Sequence, residues 1–156
     1  MSKSSRPAFS FFEPGAEPSG IDDAALRRAR SAIDKLKRAY VTEWAPAAID
    51  ELERAILIAR SSPEQAPEQL DAIFRLAHDM KGQGATFGYA MISDIGGALC
   101  NLTDHRLTAT QAELEAMLAN VRAARTIIQN RLEDPDSPEA QSLRDDLLQT
   151  VRSHLH

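Results

Sequence analysis

The sequence predicts an all-α protein: an up-down four-helix bundle with an additional N-terminal helix and a short C-terminal helix. Three observations predict it. From Asp22 onwards apolar residues return at three- and four-residue steps, the period of a helix with one apolar face. No stretch shows the strict apolar–polar alternation of a half-buried strand. The breaks between the helical stretches are short, and short connections make consecutive helices antiparallel neighbours.

Each helix carries its own signals. In the first, Leu26, Ala29, Ile33, Leu36 and Tyr40 form the apolar stripe, and Asp22 is the candidate N-cap. The second, near 46–60, has Pro46 in its first turn, where a missing N–H costs nothing, and carries Ile49, Leu52, Ile56 and Ala59. Ser62-Pro63-Glu64 starts the third, near 64–86, with Leu70, Ile73, Phe74 and Ala77 as its apolar residues. A fourth fits 89–104. A fifth fits 108–132, capped by Thr108 or Thr110 and supplied by Leu114, Met117, Leu118, Val121, Ile127 and Ile128. Asp-Pro-Asp-Ser-Pro at 134–138 interrupts the chain, and a last short helix follows from about Pro138 with Leu143, Leu147, Leu148 and Val151. The expected organisation is a flexible tail over 1–20, a helical-bundle domain over 21–133 that includes the first helix, and a helical extension over 134–156. Phe9, Phe11 and Phe12 stand out in a tail otherwise rich in Ser, Pro and Gly. Packing back onto the domain is the expectation for them, and docking to a partner the alternative.

Composition narrows the function. The 156 residues suffice for one domain with a real core. A net charge of −5 argues against nucleic acid as a partner. Cys100 is the only cysteine, so neither an intrachain disulfide nor a cysteine zinc cluster forms, and buried packing is its ordinary role. His78, His105, His154 and His156 lack paired ligand spacing, so no metal site is expected. No apolar run reaches the roughly 18–20 residues of a membrane span. Lys3 and Arg6 are followed by Phe-Ser-Phe-Phe-Glu-Pro-Gly, too short and too polar for a signal peptide. The cytoplasm is the expected compartment, with no membrane partner.

The chemistry concentrates in His78-Asp79-Met80-Lys81-Gly82-Gln83-Gly84-Ala85-Thr86-Phe87-Gly88-Tyr89. On a helical wheel turning about 100° per residue, Leu70, Ile73, Ala77, Met80 and Gly84 cluster on one side. His78 lies roughly 130° from the centre of that cluster, so it faces solvent or the bundle edge. Lys81 and Gly82 are three and four residues on and neighbour His78 on the helix surface; Ala85 is two turns on. The imidazole stands beside one cation and above a strip with almost no side chains. Glycine inside a helix costs about 1 kcal/mol relative to alanine, so Gly82, Gly84 and Gly88 need a reason. Bare backbone lets another protein approach His78, and close helix packing is the alternative, which suits Gly84 best. A neutral imidazole nitrogen is a nucleophile near neutral pH. An ammonium group within one turn offsets the charge of a phosphoramidate formed on it.

This segment resembles the histidine phosphotransfer (HPt) family, whose pattern is His-x-x-Lys-Gly with a further glycine. Ile73-Phe74-Arg75-Leu76-Ala77-His78, Lys81-Gly82 and Ala85-Thr86-Phe87-Gly88-Tyr89 look most like the phosphotransfer domain of chemotaxis-type histidine kinases. The close likeness covers about twenty residues; the helical layout extends it over roughly 46–132. The resemblance implies that His78 accepts phosphate, that Lys81 supports it, and that Gly82 keeps open a docking face to which Ala85 and Phe74 also belong. It implies receiver domains with a phosphorylatable aspartate as partners, in hybrid kinases or response regulators. The receiver brings its own Mg²⁺, and this chain, expected to be a monomer, needs no cofactor and has no ATP-dependent kinase activity.

One departure bears on mechanism. Chemotaxis-type domains place a glutamate on the next helix, reaching back to the histidine; by position this chain offers Cys100, with Asn101 beside it. Neither is a good base, although Asn101 is a candidate to hydrogen-bond the ring. A histidine without a carboxylate orienter suits exchange with an aspartyl phosphate better than direct transfer from ATP. Two alternatives stay open. One is a helical adaptor that binds signalling proteins without phosphate chemistry. The other is a dimeric phosphotransferase like a sensor kinase's helical hairpin, favoured by Asp79 and the long first helix but not by Gly82-Gln83-Gly84, where that class usually has a proline.

Overall fold

The computed structural model describes residues 22–155; the tail over 1–20 with Phe9, Phe11 and Phe12, and His156, lie outside the described residues. The chain divides after Leu36 into two compact units. The described part of the first lies almost wholly in helix α1 (Asp23–Ala39), which continues into the second unit. Asp22 caps it as expected, its carboxylate accepting from the Ala25 N–H at 2.7 Å.

The second unit is all helical among the described residues. After α1 the backbone widens into a π-helical turn, Tyr40–Trp44, and then tightens into α2 (Ala45–Ser61). Nothing in the helical period marks that turn in advance. It belongs to the packed face: buried residues step from Tyr40 and Val41 to Ala45, Ile49, Leu52, Ile56 and Ala59. Pro63 ends α2, because the residue before a proline is driven out of the helical region, and Ser62 has φ −133° and ψ 81°. A 3₁₀ turn, Pro63–Gln65, leads into α3 (Ala66–Thr86). Gly88, at φ +84°, reverses the chain in a conformation that only glycine adopts cheaply, and α4 (Ala90–Thr103) follows.

Helix α5 (Gln111–Gln129) starts later and stops earlier than the expected 108–132. A capping box decides its start. Thr110 Oγ1 accepts from the Glu113 N–H at 3.0 Å, and the Thr110 N–H donates to Glu113 Oε1 at 2.9 Å. Of the two expected threonines, Thr110 is therefore the cap. The last helix, α6 (Pro138–Leu155), begins where expected but is not short, running 18 residues.

Helices α2 to α5 form a ring in which each packs against its sequence neighbours and α2 meets α5, the arrangement of an up-down bundle. α3 and α4 share the broadest contact, and α6 lies against α5. Leu52, Ile56, Leu70, Ile73, Leu99, Met117 and Ile127 fill the centre and are essentially fully buried, each contributing about 1.5–3 kcal/mol by leaving water. Arg125 ties α5 to α2 through Asp50 at 2.8 Å and Glu53 at 3.0 Å. At one end the Tyr40 ring stacks on Phe87 at 4.7 Å and tilts against Tyr89 at 5.9 Å. Burial, with Tyr89 adding to it, pushes the Tyr40 hydroxyl up to about 12. Lys37 pairs with Glu133 beside this cluster and holds its ammonium 5.9 Å from the Tyr89 ring centre.

Candidate functional site

Helix α3 presents the predicted residues in two groups. Ala77, Met80 and Gly84 are buried, while His78, Lys81, Gly82 and Ala85 are exposed along one strip. The wheel's reading of the phase holds. Phe74, one turn before His78, is half-buried and lays its ring beside the imidazole, centroids 6.2 Å apart and planes 30° apart. Nothing lies within 4 Å of where a Cβ on Gly82 would stand. The backbone on the C-terminal side of the imidazole is therefore open, and the aromatic wall is on the N-terminal side. The Thr86 hydroxyl folds back onto the Gly82 carbonyl at 3.0 Å.

Helix α4 sets the height of this strip. A Cβ on Gly84 would meet the Ser93 nitrogen at 2.8 Å and Ile92 Cγ2 at 3.0 Å, so Gly84 serves close helix packing. The second close approach comes from the other helix. A Cβ on Gly96 would stand 2.7 Å from the Ala77 oxygen, 2.8 Å from the Lys81 nitrogen and 2.9 Å from Lys81 Cα. Gly96 thus presses on the α3 backbone between Ala77 and Lys81, at the level of His78. Its neighbour Gly97 has nothing within 4 Å of a Cβ position.

Of the two residues at the expected orienter position, Cys100 turns towards α3. Its Sγ lies 3.9 Å from the Phe74 carbonyl oxygen, with the geometry of a weak donor. Burial pushes the thiol pKa up, the Lys81 charge opposes that rise, and Asp104 adds to it. Asn101 is exposed, and no hydrogen bond joins it to the imidazole. Among the described residues no group of three or more His, Cys, Asp or Glu side chains is arranged to hold a metal.

The arrangement offers a solvent-facing imidazole, an ammonium one turn away and bare backbone beside both. It suits a reaction whose second half arrives on another molecule, since the ring is exposed. The wheel did not find Gly96 or Gly97, although the signal was present: two adjacent glycines inside a helix are as costly as those on α3. Nor did it find the pairing of Cys100 with the Phe74 carbonyl, which depends on the register between two helices.

The family model described as the Hpt domain matches residues 36–127, more than half of the chain. Comparisons with curated proteins and with solved structures give no match. The matched span runs from the end of α1 to the last turn of α5 and includes every residue of the strip. Among the described residues no helix is long and apolar enough to cross a membrane.

Proposed function

The chain belongs to the Hpt domain family, and on that premise we propose that it is a phosphorelay protein carrying the phosphoryl group on His78. The observation that carries this reading is the exposed imidazole beside Lys81, with open space over Gly82. The donor is the aspartyl phosphate of a receiver domain, and the acceptor is the aspartate of a response regulator. In the forward step a neutral ring nitrogen attacks phosphorus, a P–N bond forms, and the P–O bond to the aspartate breaks to release its carboxylate. The reverse sequence passes the group on. The Lys81 ammonium offsets the charge of the phosphoimidazole. Phe74 limits ring movement on one side, and Gly82 and Ala85 leave room for the receiver on the other. Mg²⁺ belongs to the receiver, and the proposed setting is a monomer in the cytoplasm.

The test is transfer from a phosphorylated receiver of the same organism, with Mg²⁺, to the wild type and to His78→Gln. Acid-labile, base-stable label on the wild type alone is the expected result. A second reading, an adaptor that docks without accepting phosphate, draws on Cys100 standing where a carboxylate orienter would be. It predicts receiver binding with no label on either protein.

A further inference from the structure

On the side of α4 away from the phosphotransfer strip, α4, α5 and α6 enclose a cleft of about 310 Å³. This is at the small end of the roughly 300–1,000 Å³ of small-molecule sites. Its walls are mostly apolar, with Ile95, Ala98, Ile127, Leu143 and Leu147 among them. Asn120 is the buried polar residue among them. It is 4% exposed, lines the cleft, and its Nδ2 donates to the Ala116 carbonyl at 2.9 Å. No donor among the described residues reaches its Oδ1. Yet every fully buried side-chain oxygen or nitrogen among those residues has a partner. Asn120 Oδ1 therefore touches open space, and the cleft is the space that Asn120 lines. A ligand without a donor that displaced water from this oxygen would leave it unsatisfied, at a cost of about 1–3 kcal/mol, which a ligand carrying a donor avoids.

We propose that this cleft binds a small, mainly apolar molecule, aromatic or aliphatic, with one hydrogen-bond donor directed at Asn120 Oδ1. A hydroxyl or a ring N–H fits that position. Among the described residues Arg144 and Asp94 are the only charged groups lining the cleft; Asp94 is exposed, and Arg144 is half-buried and donates from Nη2 to the Pro135 carbonyl at 2.9 Å. The cleft lies against α4, which packs on the strip's helix α3, but it shares none of the strip's residues, so its test stands apart from the relay reading.

The probes are indole, which has a ring N–H, and benzothiophene, a near-isostere without one, titrated into the 156-residue chain and followed by two-dimensional amide NMR. The expected result is shifts at Asn120, Leu143 and Leu147, with indole bound about tenfold more tightly, the worth of one hydrogen bond in an apolar site. Asn120→Leu should remove the preference for indole. Leu147→Trp, which fills the cleft, should remove binding of both probes, with thermal melting confirming that each variant folds. Shifts scattered away from the cleft, equal affinity for the two probes, or a preference that survives Asn120→Leu would overturn the proposal.

Discussion

Gly96 on α4 rests against the backbone of Ala77 on α3, so closely that a Cβ would stand 2.7 Å from the Ala77 oxygen. Gly82, on the opposite surface of α3, faces open space. The same substitution therefore has opposite signs at the two positions. Gly96→Ala should destabilise by about 1–3 kcal/mol, because the clash is with backbone that cannot rotate away. Gly82→Ala should stabilise by up to about 1 kcal/mol through helix propensity while weakening receiver binding. Urea denaturation of both variants, with a binding titration for the second, checks the pair.

His78 contributes nothing to the core. His78→Gln should leave stability within about 0.5 kcal/mol of the wild type, as for surface positions generally. A loss of cooperative melting would show that the ring is not exposed in solution.

Lys81→Ala should slow phosphotransfer by about ten- to a hundredfold, the worth of a charge-assisted contact, and change receiver affinity by less. Rapid-quench kinetics over a range of receiver concentrations separates the two effects. Equal rates would remove Lys81 from the mechanism.

The Glu113 carboxyl sits below its ordinary value, first because the Thr110 N–H donates to it and further through Arg106 and the Thr110 hydroxyl, against burial. A depressed carboxylate stabilises the fold above its unfolded pKa, and the contribution is lost as pH falls through the folded value. The stability difference between wild type and Glu113→Gln should therefore be constant near neutrality. It should shrink as the pH drops below about 4.5, the ordinary value. Thr110→Ala should cost about 1 kcal/mol at neutral pH. Denaturation at a series of pH values measures both.

Cys100 should alkylate more slowly at pH 7–8 than a free thiol, because burial raises its pKa and the thiolate is the reactive form. Lys81→Ala should slow it further by removing the charge that favours the thiolate. Timed iodoacetamide labelling followed by intact-mass spectrometry reads both effects.

Whatever depends on one helix at a time is legible in the amino-acid sequence. The spacing of Leu70, Ile73, Ala77, Met80 and Gly84 placed the core face of α3, and the same period turned His78, Lys81 and Gly82 outward. Asp22 and Pro138 marked where helices begin, because capping and proline geometry are local. Helix-to-helix register is not local: it is fixed by the summed packing of both partners. Only the tertiary structure therefore set Gly96 beneath His78, turned Cys100 rather than Asn101 towards α3, and closed a cleft around Asn120. The π-helical turn at Tyr40–Trp44 came from the same source. Its side chains pack against Phe87 and Tyr89, which lie more than forty residues along the chain and which no helical period could pair with Tyr40 in advance.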